Sequence, residues 1–164
     1  MENGAVCGMN LAKAVCMLAV PVLLLAGCGT AAEEVEGEPD QVVHTALFDF
    51  TVSDITAVDS YNSFTPRDGY QLVQTKLSVT NTSAGALTMY AGVFEARWDG
   101  GHTTCLTAVD EDMVPDSYIL YPQATYRGVM IFEVPADVST LTIAYEDTLS
   151  DEDGNIVYLI DADW

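Results

Sequence analysis

Residues 69–83 read GYQLVQTKLSVTNTS. A glycine opens the segment and Asn-Thr-Ser closes it, while the positions between alternate apolar and polar with a period of two. Val73, Thr75, Leu77 and Val79 fall on one face of such a strand, and Lys76 and Ser78 fall on the other. A helix would spread the same side chains around its circumference. The stretch therefore reads as a half-buried strand with its inner face toward a core and a turn at each end.

The flanking sequence repeats this reading. LFDFTVSDI, 47–55, places Phe48, Phe50 and Val52 on one face and Asp49, Thr51 and Ser53 on the other. YNSFTPRDG, 61–69, carries Pro66 and Asp68-Gly69 and reads as a loop ending in a turn. A third strand runs over about 87–98 and closes at Asp99-Gly100-Gly101, a hairpin signal before HTTCLTAV, 102–109. DEDMVPDS, 110–117, is an acidic loop. YRGVMIFEVP and STLTIAYED are strands separated by a corner at Pro135, and SDEDGNIVYLIDAD gives a turn at Asp153-Gly154 and a last strand. No long segment has helical period, so residues 45–164 are predicted to form one all-β sandwich domain of about seven strands.

Four segments of this domain, VQTKLSVTNTSAGAL, FEARWDGG, LYPQATYRGVMIFEVP and LTIAYED, resemble a family of immunoglobulin-like domains of unknown function carried on lipoproteins of Gram-positive bacteria. The shared pattern is a strand ending V-x-N-T, a W/D-G hairpin, an L-x-P-G-x turn and a strand ending F-x-V-P. Secreted immunoprotective antigens of mycobacteria are similar in architecture. The resemblance covers about residues 45–160 and implies an immunoglobulin-like β-sandwich; it implies no activity, because a fold does not fix a function. One position departs from the pattern: the glycine after the turn proline is Gln123 here, and only glycine takes φ > 0 without steric cost.

The N-terminus carries a different message. AVCMLAVPVLLLAG, 14–27, is uncharged, but it is too short to cross a hydrocarbon core of roughly 30 Å at about 1.5 Å per residue, and Pro21 weakens a helix there. Lys13 followed by an apolar run and small residues has the form of a secretory signal. Leu25-Ala26-Gly27-Cys28 resembles the lipobox of bacterial lipoproteins, which implies diacylglyceryl transfer to Cys28 and cleavage before it. Two acyl chains hold a protein stably where one does not. Residues 1–27 are thus read as a lipoprotein signal peptide. MENGAVCG, 1–8, lacks a basic residue, and a start at Met9 gives a more typical leader. Residues 28–44 read as the lipidated cysteine and a solvated acidic tether, of which GTAAEEVEGEPDQ, 29–41, has five acids and no bases and would span roughly 20 Å as a coil.

Charge narrows the function. The chain has 25 acidic and 5 basic residues, a formal charge of -20, and beyond residue 27 only Arg67, Lys76, Arg97 and Arg127 are basic. Nucleic-acid binding requires clustered Lys and Arg to displace counterions, so it is excluded, as is electrostatic adhesion to an anionic surface. There is no nucleophile elbow, P-loop, zinc signature or dinucleotide fingerprint, which argues against an enzyme and implies no cofactor.

The remaining candidates are loops. Asp110, Asp112, Asp151 and Asp153 supply carboxylates of the kind calcium takes, although without EF-hand spacing, and solvated surface acids are the simpler explanation. His102 and Cys105 could form half of a metal site, with Met89, Met113 or Met130 as soft ligands, but core methionines explain these equally simply. Cys7 and Cys16 leave with the signal and Cys28 takes lipid, so Cys105 remains as a single thiol. Tyr61, Phe64, Tyr118 and Tyr121 lie in or beside connections, where aromatic side chains give large contact area at low entropic cost. The expectation is a lipid-anchored module on the outer face of the membrane, binding a protein, peptide or glycan. A calcium-responsive module or a loop-inserting proteinase inhibitor is the alternative.

Overall fold

The computed structural model describes residues 32–147 and 156–164. Among them lie the strands β1 (Glu33–Gly37), β2 (Val43–His44), β3 (Phe48–Val58), β4 (Tyr70–Asn81), β5 (Leu87–Tyr90), β6 (Phe94–Trp98), β7 (Gly101–Thr104), β8 (Ser117–Leu120), β9 (Thr125–Pro135), β10 (Thr140–Asp147) and β11 (Ile156–Asp163). They form one sheet in the order β1-β11-β10-β6-β7 and another in the order β2-β3-β4-β9, with β5 and β8 paired as a separate ribbon. With β3, β4 and β9 in the A, B and E places and β6, β10 and β11 in the C, F and G places, this is an immunoglobulin-like sandwich. No helix of the described residues is long and apolar enough to cross a membrane.

The decisive strand β4 folds as its alternation requires: Val73, Thr75, Leu77 and Val79 are buried and Lys76 is exposed. Across the sandwich, β3 contributes Phe48 and Phe50 to a cluster of rings with Phe94, Tyr145 and Tyr158, whose centroids lie 5.1 to 6.2 Å apart. Such edge and offset contacts add to what area burial supplies. The Tyr145 hydroxyl donates to Asp147 Oδ1 at 3.2 Å within the core, and burial, then Asp147, pushes the phenol pKa upward.

A second, smaller cluster lies on the opposite face of β4 and β9, where Leu72, Ile131 and Met113 are covered by Val58, Tyr61, Phe64, Leu106 and Ala108. The segment that supplies Leu106 to Val114 also closes the free edge of β9. Leu106 N–H donates to Ile131 O at 2.8 Å, Val129 N–H to Asp112 O at 2.7 Å and Val114 N–H to Val129 O at 2.9 Å. An uncovered edge would offer unpaired backbone groups to another chain.

Three sequence expectations change here. Residues 28–44 are not a tether throughout: Glu33–Gly37 is a strand paired in parallel with β11, and Val43–His44 pairs with β3. Val35 packs against the main core, while Glu34 and Glu36 are exposed on the other face of this edge strand. The strand expected over 87–98 is interrupted by a 3₁₀ turn at Ala91–Val93 and divides into β5 and β6, which belong to different sheets. HTTCLTAV is a strand only to Thr104. The Asp153-Gly154 turn, like the signal segment and Cys28, lies outside the described residues. Gln123 does adopt the left-handed conformation its glycine counterpart would, with φ of 63°; Gln123 N–H donates to Asn81 O at 3.0 Å.

Candidate functional site

Two open clefts of similar size lie on the outer faces of the two sheets. The first, about 610 Å³, is lined by Arg97, Thr142 and Asp161 among others. Its cation is paired and one of its carboxylates is bonded within it: Arg97 Nη2 meets Glu95 Oε2 at 3.0 Å, and the Thr142 hydroxyl donates to Asp161 Oδ1 at 2.5 Å. The second, about 600 Å³, lies over β3, β4 and β9 and falls within the size range of small-molecule sites. Ser53, Gln74, Lys76, Ser78 and Arg127 line its floor, and Tyr61, Glu111 and Asp112 line its walls.

Register explains why these side chains meet. Ser53 pairs with Lys76 and Lys76 with Val129, while Ser78 pairs with Arg127, so Lys76 and Arg127 project from one face as diagonal neighbours. Beyond Ser53 the β3 register shifts, and Asp54, at φ 50°, turns to meet Lys76 Nζ at 2.6 Å. That hydrogen bond, with the charge of Asp54, raises the ammonium pKa. Arg67 pairs with Glu133 and Arg97 with Glu95, but Arg127 has no acidic partner among the described residues.

The acidic wall is fixed by backbone. Asp110 Oδ1 accepts from Asp112 N–H at 3.0 Å, Asp110 Oδ2 accepts from Asn62 Nδ2 at 2.5 Å, and Asp112 O accepts from Val129. Burial, then Asp110 and Asp112, raises the pKa of Tyr61, in keeping with its place beside this wall. Gly128 completes the floor because a Cβ there would stand 2.7 Å from Tyr126 Oη. That hydroxyl donates to Met113 O, joining the strand to the covering loop.

The sequence candidates disperse over the fold. Tyr61 and Phe64 are bridged to each other and roof the second cluster, and Tyr61 alone of the two lines the cleft. Tyr118 is stacked on Tyr126 at 4.3 Å; burial, then Tyr126, pushes its phenol pKa upward. Tyr121 is 66 % exposed beyond the end of β8, away from the cleft. Asp110 spends its carboxylate on ordering its own loop, Asp112 lines the cleft, and Asp151 and Asp153 lie outside the described residues. Among the described residues, no three His, Cys, Asp or Glu side chains converge as a metal site would need. His102 is exposed while Cys105 is buried, and Met89, Met113 and Met130 are buried in the two clusters. Arg127, Lys76 and Glu111 were not legible as site residues. The available signal was the scarcity of cations, two of which fall at outward positions of consecutive core strands.

Burial raises the Cys105 thiol from its ordinary 9.0 to about 11. Native protein at pH 8 is therefore expected to resist iodoacetamide and unfolded protein to react readily, since the thiolate is the nucleophile. The folded thiol keeps its proton longer than the unfolded one. Its stabilising contribution is thus complete below pH 9.0 and falls as pH rises toward about 11. Equal alkylation of native and unfolded protein would contradict this placement.

Two sheets packed face to face, with a cleft of mixed charge on an outer face, define an immunoglobulin-like β-sandwich domain. The chain belongs to the family described as domain of unknown function DUF4352, which it matches over residues 38–162. Its fold is similar to that of a candidate lipoprotein of Bacillus subtilis, ycdA, with TM-score 0.60 and 13% identity over 74% of this chain; the chain spans only 38% of that protein. It is similar also to the yjhA protein of Bacillus subtilis, with TM-score 0.59 and 14% identity, covering 77% of this chain and 98% of that one. The secreted protein MPT63 of Mycobacterium tuberculosis gives TM-score 0.60 and 16% identity, covering 80% of this chain and 100% of that one. At these identities the likeness establishes the fold alone. Among curated protein sequences there is no match.

Proposed function

We propose that this protein is a non-catalytic binding module, held on the outer face of the cell membrane by lipid on Cys28, whose ligand site is the cleft around Arg127. The observation that carries the binding reading is an unpaired, exposed guanidinium in a cleft that Glu111 and Asp112 also line, in a chain where the other described Arg and Lys side chains are paired. The lipobox-like Leu25-Ala26-Gly27-Cys28 supports the anchor, and the secreted and lipoprotein neighbours are in keeping with an extracytoplasmic place.

The strand β1 alters the geometry of anchoring. Only residues 29–32 separate Cys28 from Glu33, a reach of at most about 18 Å from Cys28 to Glu33 when fully extended. The domain thus rests close to the bilayer, with the end that carries Glu33 nearest to it. The cleft, midway along the strands of the other sheet, then opens sideways along the membrane surface. Cells given radiolabelled palmitate should incorporate it into the full chain and retain the protein in the membrane fraction. Cys28→Ala should abolish both, and equal labelling of the two proteins would remove the anchor.

A further inference from the structure

We infer that the cleft takes a small zwitterion, a short peptide with free termini, whose carboxylate meets Arg127 and whose ammonium meets Glu111 and Asp112. This rests on the reading of the cleft as the ligand site. Three observations carry it. Arg127, without an acidic partner among the described residues, presents a planar fork of donors suited to bidentate capture of a carboxylate. The main chain of Asp112 is anchored beside β9, its N–H donating to Asp110 Oδ1 and its carbonyl accepting from Val129 N–H, two residues along the strand from Arg127. Two residues of strand span about 7 Å, so the acidic loop and Arg127 are set along one cleft, and no ion pair joins them among the described residues.

The remaining lining agrees with this ligand class. Ser53, Gln74 and Ser78 can donate to or accept from a peptide bond lying between the two charged ends. Tyr61 offers an apolar face to a side chain. A purely anionic ligand would be repelled by Glu111 and Asp112, and a purely cationic one would leave Arg127 unused. Lys76 is already paired with Asp54, which leaves Arg127 as the cation of the cleft to meet the carboxylate.

The test is an amide-resolved NMR titration of the full chain in neutral detergent micelles with trialanine, N-acetyl-trialanine and trialanine amide. Trialanine should shift Arg127, Gly128, Glu111 and Asp112 with Kd on the order of 1 mM, and each cap should weaken binding about tenfold or more. Arg127→Gln should erase the difference between trialanine and its amide. Glu111→Gln with Asp112→Asn should erase the difference between trialanine and the N-acetyl form. If N-acetyl-trialanine binds as well as trialanine, the cleft takes anions: the zwitterion is overturned and the binding reading stands. If the amide binds as well, the cleft takes cations, with the same consequence. If none of the three shifts the cleft amides, the inference is overturned outright.

Discussion

Phe50→Ala is expected to destabilise the domain by about 3–5 kcal/mol, in the range of large aromatic deletions from a packed core. Phe50 is buried on β3 and its ring lies 6.1 Å from Phe48, 5.5 Å from Phe94, 5.9 Å from Tyr145 and 6.2 Å from Tyr158. It therefore joins β3 of one sheet to β6, β10 and β11 of the other. Deleting it removes apolar burial and leaves a void that its four ring neighbours, each held on a strand, cannot fill. Domains of this kind have about 5–15 kcal/mol of total stability, so a large fraction is at stake. Urea unfolding should show the midpoint fall steeply; a loss below about 1 kcal/mol would mean the rings do not pack together as described.

Asn81→Leu is expected to cost a comparable amount, about 3–4 kcal/mol, by a different mechanism. Asn81 is fully buried at the end of β4, and its amide nitrogen donates to Gly85 O and Leu120 O, each at 2.8 Å. Its amide oxygen accepts from Ser83 N and from the Ser83 hydroxyl, also each at 2.8 Å. The side chain thus binds the 83–85 turn and the β8 ribbon to the main sandwich. Leucine has similar volume but leaves those backbone groups without partners. Urea unfolding gives the loss, and hydrogen exchange at Ser83 should accelerate with it. A variant as stable as the parent would show that water replaces these bonds at no cost. Burial also explains why Asn81-Thr82-Ser83 is structural although it fits a glycosylation sequon.

The architecture was legible wherever period-two alternation was uninterrupted. From Phe48 to Ser53 in β3 and from Val73 to Val79 in β4, local side-chain pattern and burial agree. β1 was not legible, because Glu33, Glu34 and Glu36 give it the composition of a solvated spacer. Its reason to be a strand is the edge of β11, more than a hundred residues away in the chain, and strand formation depends on such neighbours more than on intrinsic preference. The same acids keep that outer edge from pairing with other chains. The division of 87–98 was hidden because apolar and polar positions continue through Ala91-Gly92-Val93 while the chain passes from one sheet to another.

The site was less legible than the fold, for a related reason. Lys76 could be placed on a solvent face from sequence, but its neighbour Arg127 follows from the β4–β9 register, which links positions fifty residues apart. Glu111 and Asp112 belonged visibly to an acidic loop, yet only the backbone bonds to β9 turn that loop into a wall facing the two cations. Among the loop aromatics, Tyr61 lines the cleft, while Tyr118 packs against Tyr126.

The central claim is that the cleft on the β3-β4-β9 face is where this protein binds its ligand, and photo-crosslinking on intact cells tests it most directly. Benzoylphenylalanine would replace Gln74 in the cleft or, as a control, Thr142 on the outer face of the opposite sheet. The expected result is an adduct from position 74 that is lost when Arg127 is changed to Ala, competed by trialanine, and absent from position 142. Adducts of equal yield from both positions, or an adduct at position 74 indifferent to Arg127→Ala, would contradict it.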